Sequence, residues 1–236
     1  MSKPLAVLPI EALFPQASDL SVVSVLGPID DYSDELTPSE RRSIKHAVAK
    51  RQREFAAGRI FARWAMQALG VPPTSLPLTL RKGPRWPAGM TGSISHSPKL
   101  AWVVAANTQH LLGVGVDLEQ CERVKPELHE RLFTTTERQQ IGTDKALAAS
   151  LFCAKEAVYK ATQPTAGRYI GFLEVEVLLD VSTGIFSMRY LGDHEPSALM
   201  EQGRGFVCTR DEHALALFTI PPASEDLSQT QQTRKV

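Results

Sequence analysis

Two carboxylates lie two residues apart in the segment GVGVDLEQ, where an apolar run typical of a β-strand ends. Because side chains alternate along a strand, Asp117 and Glu119 are expected to project from the same face. Neighbouring carboxylates repel each other unless a cation lies between them. Oxygen ligands of this kind suit Mg²⁺, whose coordination shell is usually completed by water and by substrate phosphates. The pair could equally be solvated at a strand end, so by itself it does not establish a metal site.

A second charged pair lies in the segment AKEAVYK, where Glu156 and Lys160 are four residues apart and Lys155 precedes them. On an exposed helix such a pair contributes only about 0.2–0.5 kcal/mol. The flanking residues here, 151–158, are mostly apolar or small, which predicts a largely buried helix in which charges need partners. A metal held by Asp117 and Glu119 would be a partner for Glu156, and a phosphate would be one for Lys160.

The segment GSISHSP at 92–98 places hydroxyl groups and a histidine at a strand end. Ser95 and His96 are adjacent, so on a strand they point to opposite faces, which argues against a serine hydrolase. Upstream, residues 41–63 hold one acid, Glu54, and a basic run that is either a solvated face or an anion-binding surface: Arg41, Arg42, Lys45, Lys50, Arg51, Arg53, Arg59 and Arg63. Histidine and hydroxyls near a basic run favour phosphate recognition.

Taken in order, these motifs resemble the surfactin-type superfamily of 4′-phosphopantetheinyl transferases, and within it the branch that includes enterobactin synthase component D. The matching segments span roughly residues 35–162 and are EFAAGR at 54–59, Arg63, RWP at 85–87, GSISHS at 92–97, GVDLE at 115–119 and AKEAVYKA at 154–161. Each motif is weak alone, but six of them in the family's order argue against coincidence.

The resemblance implies an α+β protein with two similar halves related by a pseudo-twofold axis. Each half would have antiparallel strands packed on a long helix, and the active site would lie in the cleft between them. Coenzyme A would be the substrate and Mg²⁺ the cofactor, with Asp117, Glu119 and Glu156 as metal ligands. The nucleotide end of coenzyme A, including its 3′-phosphate, would be held by Arg59 and Arg63 together with Ser95 and His96. The full set expected to bind coenzyme A also includes Lys82, Arg85, Lys155 and Lys160. The implied catalytic residues are Glu156, Lys160, which would stabilise charge on the pyrophosphate, and Glu137 in LFTTTE, as a base or a water-positioning group.

The implied reaction transfers the 4′-phosphopantetheine arm of coenzyme A to a serine of an apo carrier protein and releases 3′,5′-ADP. The partners would be acidic carriers of fatty acid, polyketide or nonribosomal peptide synthesis, attracted by the basic helix. A Mg²⁺-dependent nucleotide phosphohydrolase is an alternative, because three carboxylates and a lysine would serve it equally well. A non-catalytic coenzyme A or anion-binding module is another, although three carboxylates without a metal would repel an anion.

The elements that position these residues follow from apolar periodicity and from turn residues. Thr37, Pro38 and Glu40 form a capping-box signature, which predicts a helix that begins there and reaches Leu69 with or without a break. Further helices are expected at 125–141 and at 144–162, where Pro164 would end the second. Strands are expected at 20–26, 76–80, 92–96, 100–106, 112–119, 169–179, 184–191, 203–209 and 213–219. We expect an N-terminal half at 1–111, a C-terminal half at 112–222 and a disordered tail at 223–236.

Composition excludes several other classes of protein. The 236 residues are 43% apolar and 22% charged, as in globular proteins. Basic and acidic residues balance at 26 each, so no global field favours nucleic acid or a membrane surface. Three cysteines at unrelated spacings argue against a disulfide scaffold and against structural zinc. No apolar run approaches the ~18 residues of a membrane span. We therefore expect a cytoplasmic, monomeric protein.

Overall fold

The computed structural model describes residues 7–79, 83–166, 170–193 and 198–222. Lys82 and the tail predicted at 223–236 lie outside the described residues. The first half comprises β1 (Val22–Pro28), α1 (Pro38–Ile44), α2 (Ala49–Ala68), β2 (Met90–His96) and β3 (Leu100–Asn107). The second half comprises β4 (Gly113–Gln120), α3 (His129–Leu132), α4 (Thr135–Ile141), α5 (Lys145–Ala166), β5 (Val175–Asp180), β6 (Ile185–Tyr190), α6 (Ala198–Glu201), β7 (Arg204–Arg210) and β8 (His213–Ile220).

The two halves have a similar strand connectivity. In the first, the antiparallel strands are ordered β1-β3-β2, and in the second the order is β4-β8-β7-β6-β5. In each half the strand before the long helix pairs with the last strand of that half, β1 with β3 and β4 with β8. The long helices α2 and α5 pack on their own sheets. The α+β class with two similar halves, predicted from the resemblance, is therefore confirmed.

Apolar residues form three buried clusters. One surrounds α2 and another surrounds α5. The third lies between the halves and joins β3 to β4 and β8, with Trp102 and Val116 among its fully buried members. Because burial of apolar surface contributes about 25 cal/mol per Å², this shared cluster stabilises the contact between the halves.

The predicted start of the first helix is confirmed. The hydroxyl of Thr37 accepts the backbone N–H of Glu40, and the carboxylate of Glu40 accepts that of Thr37 at 2.9 Å. The helix then breaks at 45–48 and restarts at Ala49, so α1 and α2 are separate helices. Among the helices of the described residues, none combines the length and the apolar character needed to cross a membrane.

Four predicted elements have wrong boundaries. The helix expected at 125–141 is divided into α3 and α4, and the strand expected at 169–179 begins only at Val175. The segment expected to be a strand at 76–80 has only a single bridge, between Leu78 and Pro84, in the part that is described, and Pro77 lacks the N–H that a ladder needs. Helix α5 continues past Pro164 to Ala166. The proline removes one i to i−4 backbone hydrogen bond, and the helix ends two residues later.

Candidate active site

The site forms where β4 and α5 touch backbone to backbone. A Cβ on Gly113 would lie 2.6 Å from the carbonyl oxygen of Ala161, and one on Gly115 would overlap the carbonyl of Ala157. Only glycines facing alanines permit this approach. The spacing of GVGVD and of KEAVYKA thus brings the end of β4 next to the middle of α5, where the charged residues lie.

Asp117 and Lys160 form the centre of the site. The Lys160 ammonium lies 2.7 Å from Asp117 Oδ1 and 3.0 Å from the carbonyl oxygen of Val116. The Ser95 hydroxyl, contributed by β2 of the first half, lies 2.6 Å from Asp117 Oδ1 and 3.1 Å from Lys160 Nζ. The carboxylate is mostly buried, whereas the lysine side chain is 25% exposed. Its charge therefore reaches the surface of the site.

Glu156 lies one helical turn before Lys160 and is half-buried. It makes no hydrogen bond or ion pair with any described residue. Burial raises the pKa of its carboxyl, and the negative charge of Asp117 raises it further while Lys160 opposes the effect. A carboxylate in these surroundings is stabilised by any additional cation.

Glu119 points from the same face of β4 as Asp117, but it turns to Arg123, 3.2 Å away, and to the backbone N–H of Gln120. Asp117 and Glu119 therefore both have cationic partners, which the sequence did not reveal. Within the described ranges, no three His, Cys, Asp or Glu side chains lie close enough to share a metal ion. The donors nevertheless fit a hard cation, because Glu156 lacks a partner and the exposed Arg123 pair is of a kind worth little.

His96 points away from Ser95 and contacts α2. Its Nε2 lies 2.6 Å from Arg51 Nη1, and its Nδ1 lies 3.7 Å from the carboxylate of Glu54. Burial lowers the pKa of His96, and the positive charge of Arg51 adds to this although Glu54 opposes it. This histidine, together with the N-terminal part of α2, lies beside the Lys160 centre.

Arg59 and Arg63 are both engaged with other protein groups. Arg59 is 4% exposed and donates through Nε to the carbonyl of Leu76, and burial lowers its pKa to about 10. Arg63 pairs with the buried carboxylate of Glu40 and donates to the carbonyl of Glu35. Glu40 also accepts the N–H of Leu76 at 3.0 Å. Their predicted contact with the nucleotide stays a prediction, as does that of Arg85, which is exposed; Lys82 is not described.

Three predicted roles are not supported by the geometry. Lys155 is buried and uses all three donors, on Glu137 at 2.7 Å and on the carbonyls of Leu132 and Phe172. Glu137 is 1% exposed and also accepts the N–H groups of Thr134 and Val177. Both side chains are engaged with protein groups in this arrangement, and their predicted roles stay predictions.

Ser95 is the third of these residues. Its hydroxyl donates to Asp117 and accepts from Lys160 and from the N–H of Leu118. One donor and two acceptor positions exhaust a hydroxyl, so the hydroxyl has no free position for a phosphate in this arrangement, and the predicted phosphate contact stays a prediction.

A mostly apolar cavity of about 90 Å³ lies between α5 and the segment that precedes β5. Glu156 and Tyr159 line one side, and Ile170, Phe172 and Val175 line the other. Because Lys155 donates to the carbonyl of Phe172, the buried lysine helps to hold this wall. The sequence did not predict the cavity, since its two walls come from separate segments.

Comparison with known proteins agrees with this geometry. The family description "4′-phosphopantetheinyl transferase N-terminal domain" matches residues 39–106, and "4′-phosphopantetheinyl transferase superfamily" matches residues 113–217. The chain is 33% identical to the 4′-phosphopantetheinyl transferase Npt of Nocardia iowensis over 65% of this chain and 72% of that protein. It is 33% identical to enterobactin synthase component D of Escherichia coli K12 over 57% of this chain and 65% of that protein.

A solved holo-[acyl-carrier-protein] synthase from Thermotoga maritima superposes on 51% of this chain and 74% of its own, with a TM-score of 0.40 and 22% identity. The family matches cover both halves of the chain, and the carboxylate and lysine cluster lies at the junction of β4 and α5. The chain therefore belongs to the 4′-phosphopantetheinyl transferase superfamily.

Proposed function

We propose that this enzyme transfers the 4′-phosphopantetheine arm of coenzyme A to a serine of an apo carrier protein at the junction of β4 and α5, with release of 3′,5′-ADP. One observation supports the proposal above all others. The close contact of the β4 glycines with the α5 alanines brings Asp117 next to Glu156 and Lys160. In such a reaction the charge develops on the pyrophosphate. Catalysis then depends on positioning and on charge neutralisation more than on covalent chemistry.

Asp117, Glu119 and Glu156 would hold Mg²⁺. The bound ion would neutralise charge on the pyrophosphate oxygens. Glu119 would have to leave its exposed pair with Arg123, which is of a kind that contributes at most about 1 kcal/mol. Glu156 has no partner to give up among the described residues.

Lys160 would stabilise the pyrophosphate, since its ammonium is partly exposed at the centre of the site. His96 and the basic face of α2 beside it would meet the nucleotide end, with Arg59, Arg63 and Arg85 as further candidates. The cavity beside Glu156 suits the uncharged pantetheine arm, because most of its lining is apolar. The serine oxygen of the carrier would then bond to the β-phosphorus as the bond from that phosphorus to the bridging oxygen breaks, so that 3′,5′-ADP leaves and the serine proton passes to solvent.

Acidic carrier domains of fatty acid, polyketide or nonribosomal peptide synthesis are the proposed partners. The exposed basic residues of α1 and α2 support this, since opposite charge favours encounter. We further propose that the enzyme acts as a monomer in the cytoplasm. Its three cysteines are free thiols, as a reducing compartment would keep them.

Intact-mass spectrometry of an apo carrier protein tests the function. With enzyme, coenzyme A and Mg²⁺, the carrier should gain one phosphopantetheine group, and 3′,5′-ADP should appear in equal amount. A nucleotide hydrolase would instead consume coenzyme A and leave the carrier mass unchanged. Excess chelator should stop the transfer.

Substitution of Asp117 tests the assignment of the site. Asp117→Asn should lower the transfer rate on the order of 100-fold or more. Glu122→Gln is the matched control, because Glu122 lies close in sequence but is exposed and pairs with the exposed Lys145. If Asp117→Asn and Glu122→Gln transferred equally well, the proposed site would be wrong.

A further inference from the structure

Two serines of β2, Ser93 and Ser95, and Ser97 just after the strand lie on the face that meets the second half of the protein. Ser93 Oγ accepts the N–H of Val116 at 3.1 Å, and Ser95 Oγ accepts that of Leu118 at 3.4 Å. Ser97 Oγ contacts His213 Nε2 at 3.2 Å. Strand β4 is at the edge of its sheet, so two of its outward amides are satisfied by hydroxyl groups instead of by another strand. We call Ser93, Ser95 and Ser97 the serine row.

Ser95 differs from the rest of the serine row in what else it contacts. It donates to Asp117 Oδ1 and accepts from Lys160 Nζ, so one hydroxyl joins both charged groups at the centre of the site. Ser93 has the same burial, 5% against 4%, and also accepts from a β4 amide. Among the hydrogen bonds of the described residues, none joins Ser93 to either charged group.

We propose that Ser95 is a positioning residue that fixes the orientation of the Asp117 carboxylate for its cation and keeps Lys160 beside it. The inference rests on the proposed function, since it assumes that Asp117 is a ligand. A short hydrogen bond from a buried hydroxyl restricts the rotation of the carboxylate. Groups that orient metal ligands in this way typically contribute about 10- to 100-fold in metal affinity or activity. The first half of the protein would thereby set the geometry of a ligand in the second.

A purely structural role for Ser95 would give a different result. Loss of either hydroxyl, in Ser93→Ala or Ser95→Ala, leaves one buried β4 amide without its acceptor. Both variants should therefore lose thermal stability to a similar degree. Only Ser95→Ala also releases Asp117, so metal affinity separates the two roles.

The experiment titrates the whole protein with Mn²⁺ alone, followed by electron paramagnetic resonance of the free ion. Ser95→Ala should bind Mn²⁺ about 10- to 100-fold more weakly than the wild type, and Ser93→Ala should bind it as the wild type does. Transfer by Ser95→Ala should recover as the metal concentration rises. Equal Mn²⁺ affinities in Ser93→Ala and Ser95→Ala would overturn the proposal.

Ser95→Cys covers the case in which Ser95→Ala does not fold. It keeps the side chain in place but supplies only a weak donor, so a weaker Mn²⁺ affinity supports the proposal and wild-type affinity overturns it. Failure of the proposed function is a separate outcome. It would appear as a wild-type protein that leaves the carrier mass unchanged, whatever the variants bind.

Discussion

Lys155 and Lys160 are five positions apart on α5, and both ammonium groups have three acceptors within hydrogen-bond distance. Their surroundings give them different roles. The side chain of Lys155 is 2% exposed and that of its partner Glu137 is 1% exposed, whereas Lys160 opens to solvent. Residue type alone could not separate a buried ion pair that holds the walls of the cavity from a lysine that faces substrate.

The buried pair leads to a prediction about stability. Lys155→Met leaves the Glu137 carboxylate buried without its cation, which should lower the free energy of unfolding by about 3–5 kcal/mol. The double variant Lys155→Met, Glu137→Gln removes the stranded charge and should recover part of this loss, as measured by the thermal midpoint. The double variant should also retain transfer activity. Loss of transfer in a well-folded double variant would restore Glu137 as a catalytic group.

Some of these residue roles were within reach of the sequence. Thr134 and Glu137 form a capping box at the start of α4, in the pattern that correctly predicted α1. That signal identifies Glu137 as a structural residue. The partners of Ser95 were not predictable, because Asp117 is 22 positions away and the contact depends on how β2 meets β4.

At the scale of elements, the site depends on how closely α5 approaches β4. Apolar periodicity predicted both elements, and their residue types suggested shared chemistry. The close approach depends on Gly113 and Gly115, two residues apart, and on Ala157 and Ala161, four residues apart. An analysis of apolar periodicity does not detect this pattern of small residues. The break between α1 and α2 was left open because the sequence at 45–48 lacks a glycine or proline to mark it.

Gly115→Ala tests the close approach. The added methyl group would overlap the carbonyl of Ala157, so α5 must move and Lys160 must leave Asp117. We expect a destabilisation of about 1–3 kcal/mol or more, measured by urea unfolding, together with a large loss of transfer. In Gly83→Ala, the control, the methyl group would come no closer than 3.5 Å to another residue. Unchanged transfer in Gly115→Ala would show that the spacing is not critical.

The anchoring of α1 predicts a dependence on pH. Burial would raise the pKa of Glu40, but hydrogen bonds from the N–H groups of Thr37 and Leu76 and the charge of Arg63 lower it below its usual 4.5. A lowered pKa in the folded state means that the stabilisation is fully present above about pH 4.5 and is lost as the pH falls further. Glu40→Gln should therefore cost about 3 kcal/mol near neutral pH.

Urea unfolding of the wild type and of Glu40→Gln across this range checks the prediction. The difference between the two proteins should shrink progressively below about pH 4.5. A constant difference at all pH values would mean that the charge of Glu40 contributes nothing and that only its shape matters.

At the scale of the whole molecule, the active site is divided between two halves that share a buried cluster. Ser95 and His96 come from the first half, and Asp117, Glu156 and Lys160 come from the second. The sequence indicated two similar halves but not how they meet, because the contacts across the junction join residues distant in the chain. The molecule has no net charge, yet α1 and α2 carry a group of exposed basic residues: Arg41, Arg42, Lys50, Arg51 and Arg53. Any electrostatic attraction for an acidic carrier must therefore come from the local distribution of charge on the surface and not from the net charge.

Charge reversal at two matched lysines tests this. Lys50 on α2 is 61% exposed and pairs with Glu54, while Lys145 at the start of α5 is 60% exposed and pairs with Glu122. Lys50→Glu and Lys145→Glu change the net charge equally, but only Lys50 lies beside the Arg51 and His96 contact, whereas Lys145 is about 16 Å along α5 from Glu156. Lys50→Glu should lower kcat/KM for the carrier about fivefold, the factor for about 1 kcal/mol of lost attraction, and the loss should fade as salt is added. Lys145→Glu should leave kcat/KM near the wild-type value at every salt concentration. Equal losses in the two variants would mean that the carrier responds to total charge, and the basic face of α1 and α2 would then have no special part in docking.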